Sequence, residues 1–335
     1  MSRTANQISR RYLLQLMGGV AGSIALHGCT QGAGSSSGAA PLISIVNPWP
    51  GYGGHYVALK KDLFKGVGVE VQELFFQSAS EGLTAFLAGK ADVAWLTSGD
   101  AVQAAAQDPT VRIIYVVDYS NGSDGIIGRG IKSAADLKGK KVARENLLFE
   151  NVLLRAYLEK GGLTEADIQI QDMTAADAAT AFAAKQVDVA VTYEPWMTKA
   201  AKQGSGEVLF TTKDTNLIVD VVATRQKVIT SRKADLQAYL KAIDQGVKLV
   251  ASGDAEAIKI VADKLGGISV DEAKEQIAGV KIFDIEMNKS IGFSSTNENN
   301  LIKNLELTVQ VGKDMKLVGD MKIEDLYDSS IVMGL

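Results

Sequence analysis

Cysteine is nearly missing from this 335-residue chain: Cys29 is the only one, so no disulfide can form within it. Histidine is almost as scarce, with His27 and His55 alone. No spacing of His, Cys, Asp or Glu forms a metal-ligand cluster, no glycine loop is built to cradle phosphate, and no Gly-x-Ser-x-Gly elbow joins a strand to a helix. These gaps remove most nucleophilic, metal-dependent and phosphate-dependent enzyme classes, leaving acid–base work by paired carboxylates open. An excess of positive charge is also lacking: 35 Lys and Arg face 39 Asp and Glu, a formal net charge of -4. Residues 1–28 carry Arg3, Arg10 and Arg11 and no acid, so the rest sums to -7 once those three charges are taken away. Nucleic acid is therefore not an expected partner. The apolar run from Leu13 to Leu26 is shorter than the roughly 20 residues needed to span a bilayer.

What is there begins with a targeting segment. A basic start and a short apolar run read as a signal peptide over residues 1–28, removed from the mature protein. It ends at Leu26-His27-Gly28-Cys29, which resembles a bacterial lipobox, so Cys29 is the candidate lipid attachment site; an ordinary signal peptide with an incidental cysteine is the alternative. Ser9-Arg10-Arg11-Tyr12-Leu13-Leu14 resembles a twin-arginine export signal, with general export equally open. Residues 29–41 then form a Gly, Ser and Ala tether with nothing to bury.

The folded part is organised around a repeat. Ala85-Phe86-Leu87-Ala88-Gly89-Lys90-Ala91-Asp92-Val93-Ala94 resembles Ala181-Phe182-Ala183-Ala184-Lys185-Gln186-Val187-Asp188-Val189-Ala190. Each reads as a helix end, a tight turn and an apolar strand, followed by a polar junction: Thr97-Ser98-Gly99-Asp100 and Tyr193-Glu194-Pro195-Trp196. Ligands of open α/β sheets bind beyond the carboxyl ends of strands, so both junctions belong beside a cleft. The turn Asn47-Pro48-Trp49-Pro50-Gly51-Tyr52 after strand Leu42–Val46 adds Trp49 and Tyr52 to one wall, unless their rings cap the core. A helix is predicted from Tyr56 to Phe64. The first crossing between lobes is predicted near Asp118 to Ser120 and the return at Asn216 to Ala223. Helices after residue 236 are predicted to pack back on the first lobe.

These pieces together resemble a known family. The lipobox, the Gly51-Tyr52 loop with Ala58 and Leu63-Phe64, Phe86-Leu87-Ala88-Gly89-Lys90-Ala91-Asp92, Asp136-Leu137-Lys138-Gly139-Lys140-Lys141-Val142 and Tyr193-Glu194-Pro195-Trp196 stand in the order of the solute-binding lipoproteins of ABC importers. The branch is that of nitrate, aliphatic sulfonates, taurine and thiamine precursors. The resemblance implies an α/β fold of periplasmic-binding-protein type II, with two lobes joined by a two-segment hinge around the ligand. The expected boundaries are 42–117 with 223–335 for the first lobe and 118–222 for the second. It also implies a monomer without cofactor on the outer side of the cytoplasmic membrane, delivering a small molecule to a permease driven by a cytoplasmic ATPase.

The ligand's charge is open to argument from residues. Anion-binding relatives start the helix after Lys-Gly-Lys with small or hydroxyl residues, whereas this chain has Arg144-Glu145-Asn146-Leu147-Leu148-Phe149-Glu150. Carboxylates at Glu145 and Glu150 would occupy or repel an anion there. Asp118, Asp124 and Glu194 add to them, with Asp100 and Asp220 as further candidates and Arg144 as the evident counter-charge. With Trp49, Tyr52, Ser98, Tyr119, Tyr193 and Trp196 nearby, the set suits a small guanidinium or amine cation. Sulfonate, taurine or nitrate is the alternative; a thiamine-pyrimidine-synthase-like enzyme and a ligand-presenting sensor module are the others. Each acid also has a plainer reading: Glu150 as a helix cap, Asp118 as part of the hinge, Glu194 as half of an ion pair.

Overall fold

Runs of β-branched residues alternate with amphipathic helices, and they assemble into two sheets that share one continuous apolar core, with a smaller separate cluster on the second sheet. The computed structural model describes residues 40–335 apart from Asp214, Asn216 and Glu298. The predicted signal peptide, Cys29 and nearly all of the tether lie outside the described residues. The elements in chain order are β1 (Leu42–Val46), α1 (Gly53–Lys60), α2 (Leu63–Gly66), β2 (Val71–Phe75), α3 (Ala79–Leu87), β3 (Val93–Thr97), α4 (Ser98–Gln107) and β4 (Val111–Ser120). There follow β5 (Asp124–Gly128), β6 (Lys141–Arg144), α5 (Leu148–Lys160), β7 (Gln169–Asp172), α6 (Ala175–Ala183), β8 (Val189–Tyr193), α7 (Trp196–Gly204) and β9 (Glu207–Thr211). The chain ends through β10 (Val219–Arg225), α8 (Gln226–Ser231), α9 (Lys233–Ala251), α10 (Ala255–Lys264), α11 (Val270–Ala278), β11 (Val280–Ile282), α12 (Ile285–Met287), α13 (Leu301–Asp314) and α14 (Ser330–Met333).

The first sheet has the order β11-β4-β10-β3-β1-β2 and the second β7-β6-β8-β5-β9. In each, three parallel strands come first, β2-β1-β3 and β7-β6-β8, as connections through helices require. An antiparallel strand then flanks the trio: β10 beside β3 and β5 beside β8. The repeat seen in the sequence is thus a repeat of architecture. Its fourth strand comes in both cases from a segment that passes between the sheets.

Three expectations need correction. The helix predicted from Tyr56 to Phe64 begins earlier, at Gly53, and breaks at Asp62, whose φ of 54° is left-handed. Gly53 and Gly54 are helical because α1 runs close against α9: a Cβ on Gly246 would overlap the carbonyl oxygen of Gly54. The return segment is no bare crossing either, since β10 sits between β3 and β4 with Asp220 opposite both Thr97 and Asp118. Finally, α9 and α10 do pack on α1, but α13 lies against both α4 and α5 and so touches helices of both sheets.

Candidate functional site

The loop after β1 is held by one side chain. Tyr56 donates from its hydroxyl to the Asn47 carbonyl (2.6 Å) and accepts the Trp49 amide (3.1 Å), so the first turn of α1 clamps the turn that precedes it. From this loop the Trp49 indole N–H donates to Asp118 Oδ2 at 2.9 Å, and the Tyr52 hydroxyl donates to Asp220 Oδ1 at 2.7 Å. Asp118 and Asp220 are direct cross-strand partners in the antiparallel pair β4–β10. Gly51 belongs to the same arrangement, because a Cβ there would overlap the Asp118 carboxylate and the Trp49 indole.

Beside these residues lies a narrow cavity of about 20 Å³, room for about one water-sized sphere and well below the size of an ordinary ligand site. Its walls are aromatic and acidic. Trp49, Tyr52 and Trp95 come from the first sheet's side, Phe149 and Tyr193 from the second's, and the acids are Asp100, Asp124 and Asp220. The rings meet edge to face: Trp49 on Tyr193 at 5.9 Å and 74°, Tyr52 on Trp95 at 4.9 Å and 62°. No lysine, arginine or histidine lines it. Both Asp100 oxygens, Asp118 Oδ1 and Asp124 Oδ2 are buried without a hydrogen-bond partner, and so is the Tyr193 hydroxyl.

Burial without counter-charge sets the protonation of these acids. It pushes the Asp100 carboxyl up to about 7, despite Thr97 beside it, and the Asp124 carboxyl up to about 7, with Glu194 adding repulsion. Asp118 and Asp220 are raised by burial first and then by neighbouring carboxylates. A buried carboxyl near a phenol and an indole can stay neutral as a hydrogen-bond donor or ionise against a cation. Protonated, it offers a donor to an acceptor; ionised, it calls for a cation. Among the described residues, no three His, Cys, Asp or Glu side chains are grouped so as to hold a metal ion.

Of the ligand candidates read from sequence, Trp49, Tyr52 and Tyr193 line the cavity, and Asp118 stands directly behind Trp49 and Asp220. The others are elsewhere. Ser98 donates to Asn304 of α13 at 2.6 Å, and Tyr119 donates to the Asn299 carbonyl while its ring packs at a tilt against Phe283. Glu194 turns back on its own helix and accepts the Thr198 amide and hydroxyl, the work of a cap rather than an ion pair. Trp196, the first residue of α7, leans into the groove between α6 and α7 with Ala176, Ala179 and Gln203. Glu150 accepts the Glu145 amide at 2.7 Å, and Glu145 accepts from Ser80 and Ala175. Arg144 is no counter-charge for the cavity: it faces Asp172 at 3.4 Å and Glu165 at 4.0 Å. Sequence reasoning missed Asn47, Trp95 and Phe149. Trp95 carried a usable signal, since it lies two residues before a junction already placed at the cleft.

Comparison with known proteins agrees with this architecture. A family described as NMT1/THI5 like matches residues 49–257, more than half of the chain. An Escherichia coli (strain K12) protein provisionally described as binding aliphatic sulfonates is 33% identical over 137 residues, 41% of this chain and 43% of the relative. The match thus spans less than half the length of that curated relative. The alkanesulfonate-binding protein SsuA from Xanthomonas axonopodis pv. citri, solved bound to MOPS, superposes with a TM-score of 0.70 at 19% identity, covering 84% of this chain and 96% of that one. The desulfurization enzyme DSZB superposes at 0.63 with 14% identity, covering 88% and 98%. At these identities the two structures share the fold: two α/β lobes around a cleft.

Proposed function

The chain belongs to the NMT1/THI5-like family, and from that premise we propose that it is the solute-binding component of an ABC importer, capturing a small nitrogenous cation between its two sheets. The observation that carries the ligand's charge is the cavity itself: Asp100, Asp124 and Asp220 on its walls, Asp118 behind them, five aromatic rings, and no basic side chain. A cation over an aromatic face gains about 2 kcal/mol when desolvated. A hydrogen bond to a charged group adds about 1.5–3 kcal/mol. Micromolar binding takes roughly -8 kcal/mol net, so several of these rings and carboxyls must engage the ligand at once.

The rest of the proposal follows from the role. By strand membership the first lobe comprises residues 42–120 and 219–335 and the second 121–218, a few residues from the expected 117/118 and 222/223, with closure about the segments that join them. Cys29 carries a lipid that keeps a monomer at the outer face of the cytoplasmic membrane, where it meets a permease with its ATPase. No cysteine or histidine lines the cavity, which favours binding over turnover despite the fold shared with a desulfurization enzyme.

A sulfonate is the second reading, favoured by what the relatives are described as binding. It requires the cavity's carboxyls to be protonated and to donate to the anion. The experiment is a thermal-shift screen of the purified protein against guanidinium, agmatine, choline and simple amines beside taurine, nitrate and alkanesulfonates. A ligand at 100 times its Kd stabilises by about 2.7 kcal/mol. Stabilisation by a cation alone, lost in Asp124→Asn, is the expected result. Stabilisation by a sulfonate or nitrate alone replaces the cation with an anion and leaves the transport role standing.

A further inference from the structure

The Glu145 carboxylate joins two helices that belong to different sheets. One oxygen accepts the Ser80 amide at 3.0 Å and the Ser80 hydroxyl, at the N-terminus of α3. The other accepts the Ala175 amide at 3.3 Å, at the N-terminus of α6. These two helices, nine residues each, are the equivalent helices of the internal repeat. Each N-terminus carries free amides and about half a positive charge, so their meeting point is where an anionic head group would be gripped. Here the grip is taken by the chain's own side chain, which is only 2% exposed. Behind it stands Glu150, 1% exposed, with one oxygen on the Glu145 amide and the other unpartnered and buried. The position borders the ligand cavity, since Ala79, the first residue of α3, is on the cavity wall.

We propose that Glu145 is the specificity-determining residue for ligand charge: it fills the joint N-terminal pole of α3 and α6 from within the chain and so denies that anchorage to anionic solutes. The inference rests on the cation reading given above and adds the reason an anion is refused. It explains how a fold with two converging helix poles can serve an acidic cavity: an internal carboxylate neutralises the poles and also ties the sheets together.

The test is calorimetric titration of the purified protein, Glu145→Ser and Glu145→Gln with ethanesulfonate and with guanidinium. Serine vacates the pole, and the expected result is at least a tenfold gain in ethanesulfonate affinity over the unsubstituted protein. Glutamine keeps the shape and the acceptor but removes the charge, and a gain of a few-fold is expected. Ethanesulfonate binding unchanged in a serine variant that still unfolds cooperatively overturns the inference; should serine prevent folding, an unchanged glutamine variant does so. Guanidinium separates this from the function itself. A protein that binds guanidinium while neither variant gains ethanesulfonate refutes the role of Glu145 alone. A gain in the variants of a protein that ignores guanidinium refutes the cation reading alone. Tight ethanesulfonate binding by the unsubstituted protein overturns both.

Discussion

Asp100 and Asp124 each hold a proton to about pH 7, well above the ordinary aspartate range near 4, because burial outweighs the Thr97 and Ser120 hydroxyls beside them. The folded state therefore binds more protons than the unfolded chain between about pH 4 and 7. Their stabilising contribution is complete below the unfolded value and is lost as pH rises through about 7. In melts of the ligand-free protein from pH 5 to pH 8, a falling Tm is expected, with a shallower slope in Asp124→Asn. Cation affinity should rise over the same interval, as the carboxyls ionise; affinity that is flat or falls with pH would contradict the site's chemistry. The sequence made part of this site legible. Trp49, Tyr52 and Tyr193 sit where strands end, and strand ends face the cleft in this class of fold. It misdirected Glu194 and Trp196, because a polar or aromatic residue at a strand–helix junction can turn toward the cleft or back on its own helix. Only packing decides which, and here Thr198 draws Glu194 back.

At the scale of elements, the repeat is locked by a matching pair of arginines. Arg225, closing β10, donates to the Phe86 carbonyl at 2.6 Å and stacks over the Phe86 ring at 4.3 Å. Arg129, just beyond β5, donates to the Phe182 carbonyl at 2.6 Å and stacks over the Phe182 ring at 4.5 Å. Each caps the C-terminal end of the repeat's helix, α3 or α6, where carbonyls are unpaired and the pole is negative. Arg225 is buried and also pairs with Asp108 at 2.7 Å. Arg225→Ala should cost about 3–5 kcal/mol by stranding that network. Arg129→Ala should cost less, being half-buried. Denaturant unfolding monitored by tryptophan fluorescence measures both, and equal, negligible losses would show the caps to be incidental. The helix–turn–strand repeat was readable as two similar stretches of sequence. The arginines were not, since each reaches its helix from a strand far along the chain or from a loop before it.

At the scale of the whole molecule, the order of motifs was enough to anticipate two α/β lobes. The exchange of strands was not: β10 enters the first sheet more than a hundred residues after β3, and nothing local announces its place between β3 and β4. The same topology sets Asp220 opposite Asp118 and completes the acidic cluster. That cluster has a practical meaning for anyone who isolates the protein. On the proposed function, four aspartates with no base beside them form a core that lacks one of its members until a cation binds. Native mass spectrometry of gently purified protein should show a small cationic adduct, absent after unfolding and refolding in a defined buffer, with the refolded sample melting lower. A bare mass and an unchanged Tm would contradict this. Under the proposed function, a bound solute is, for as long as it stays, a structural residue that the gene does not encode.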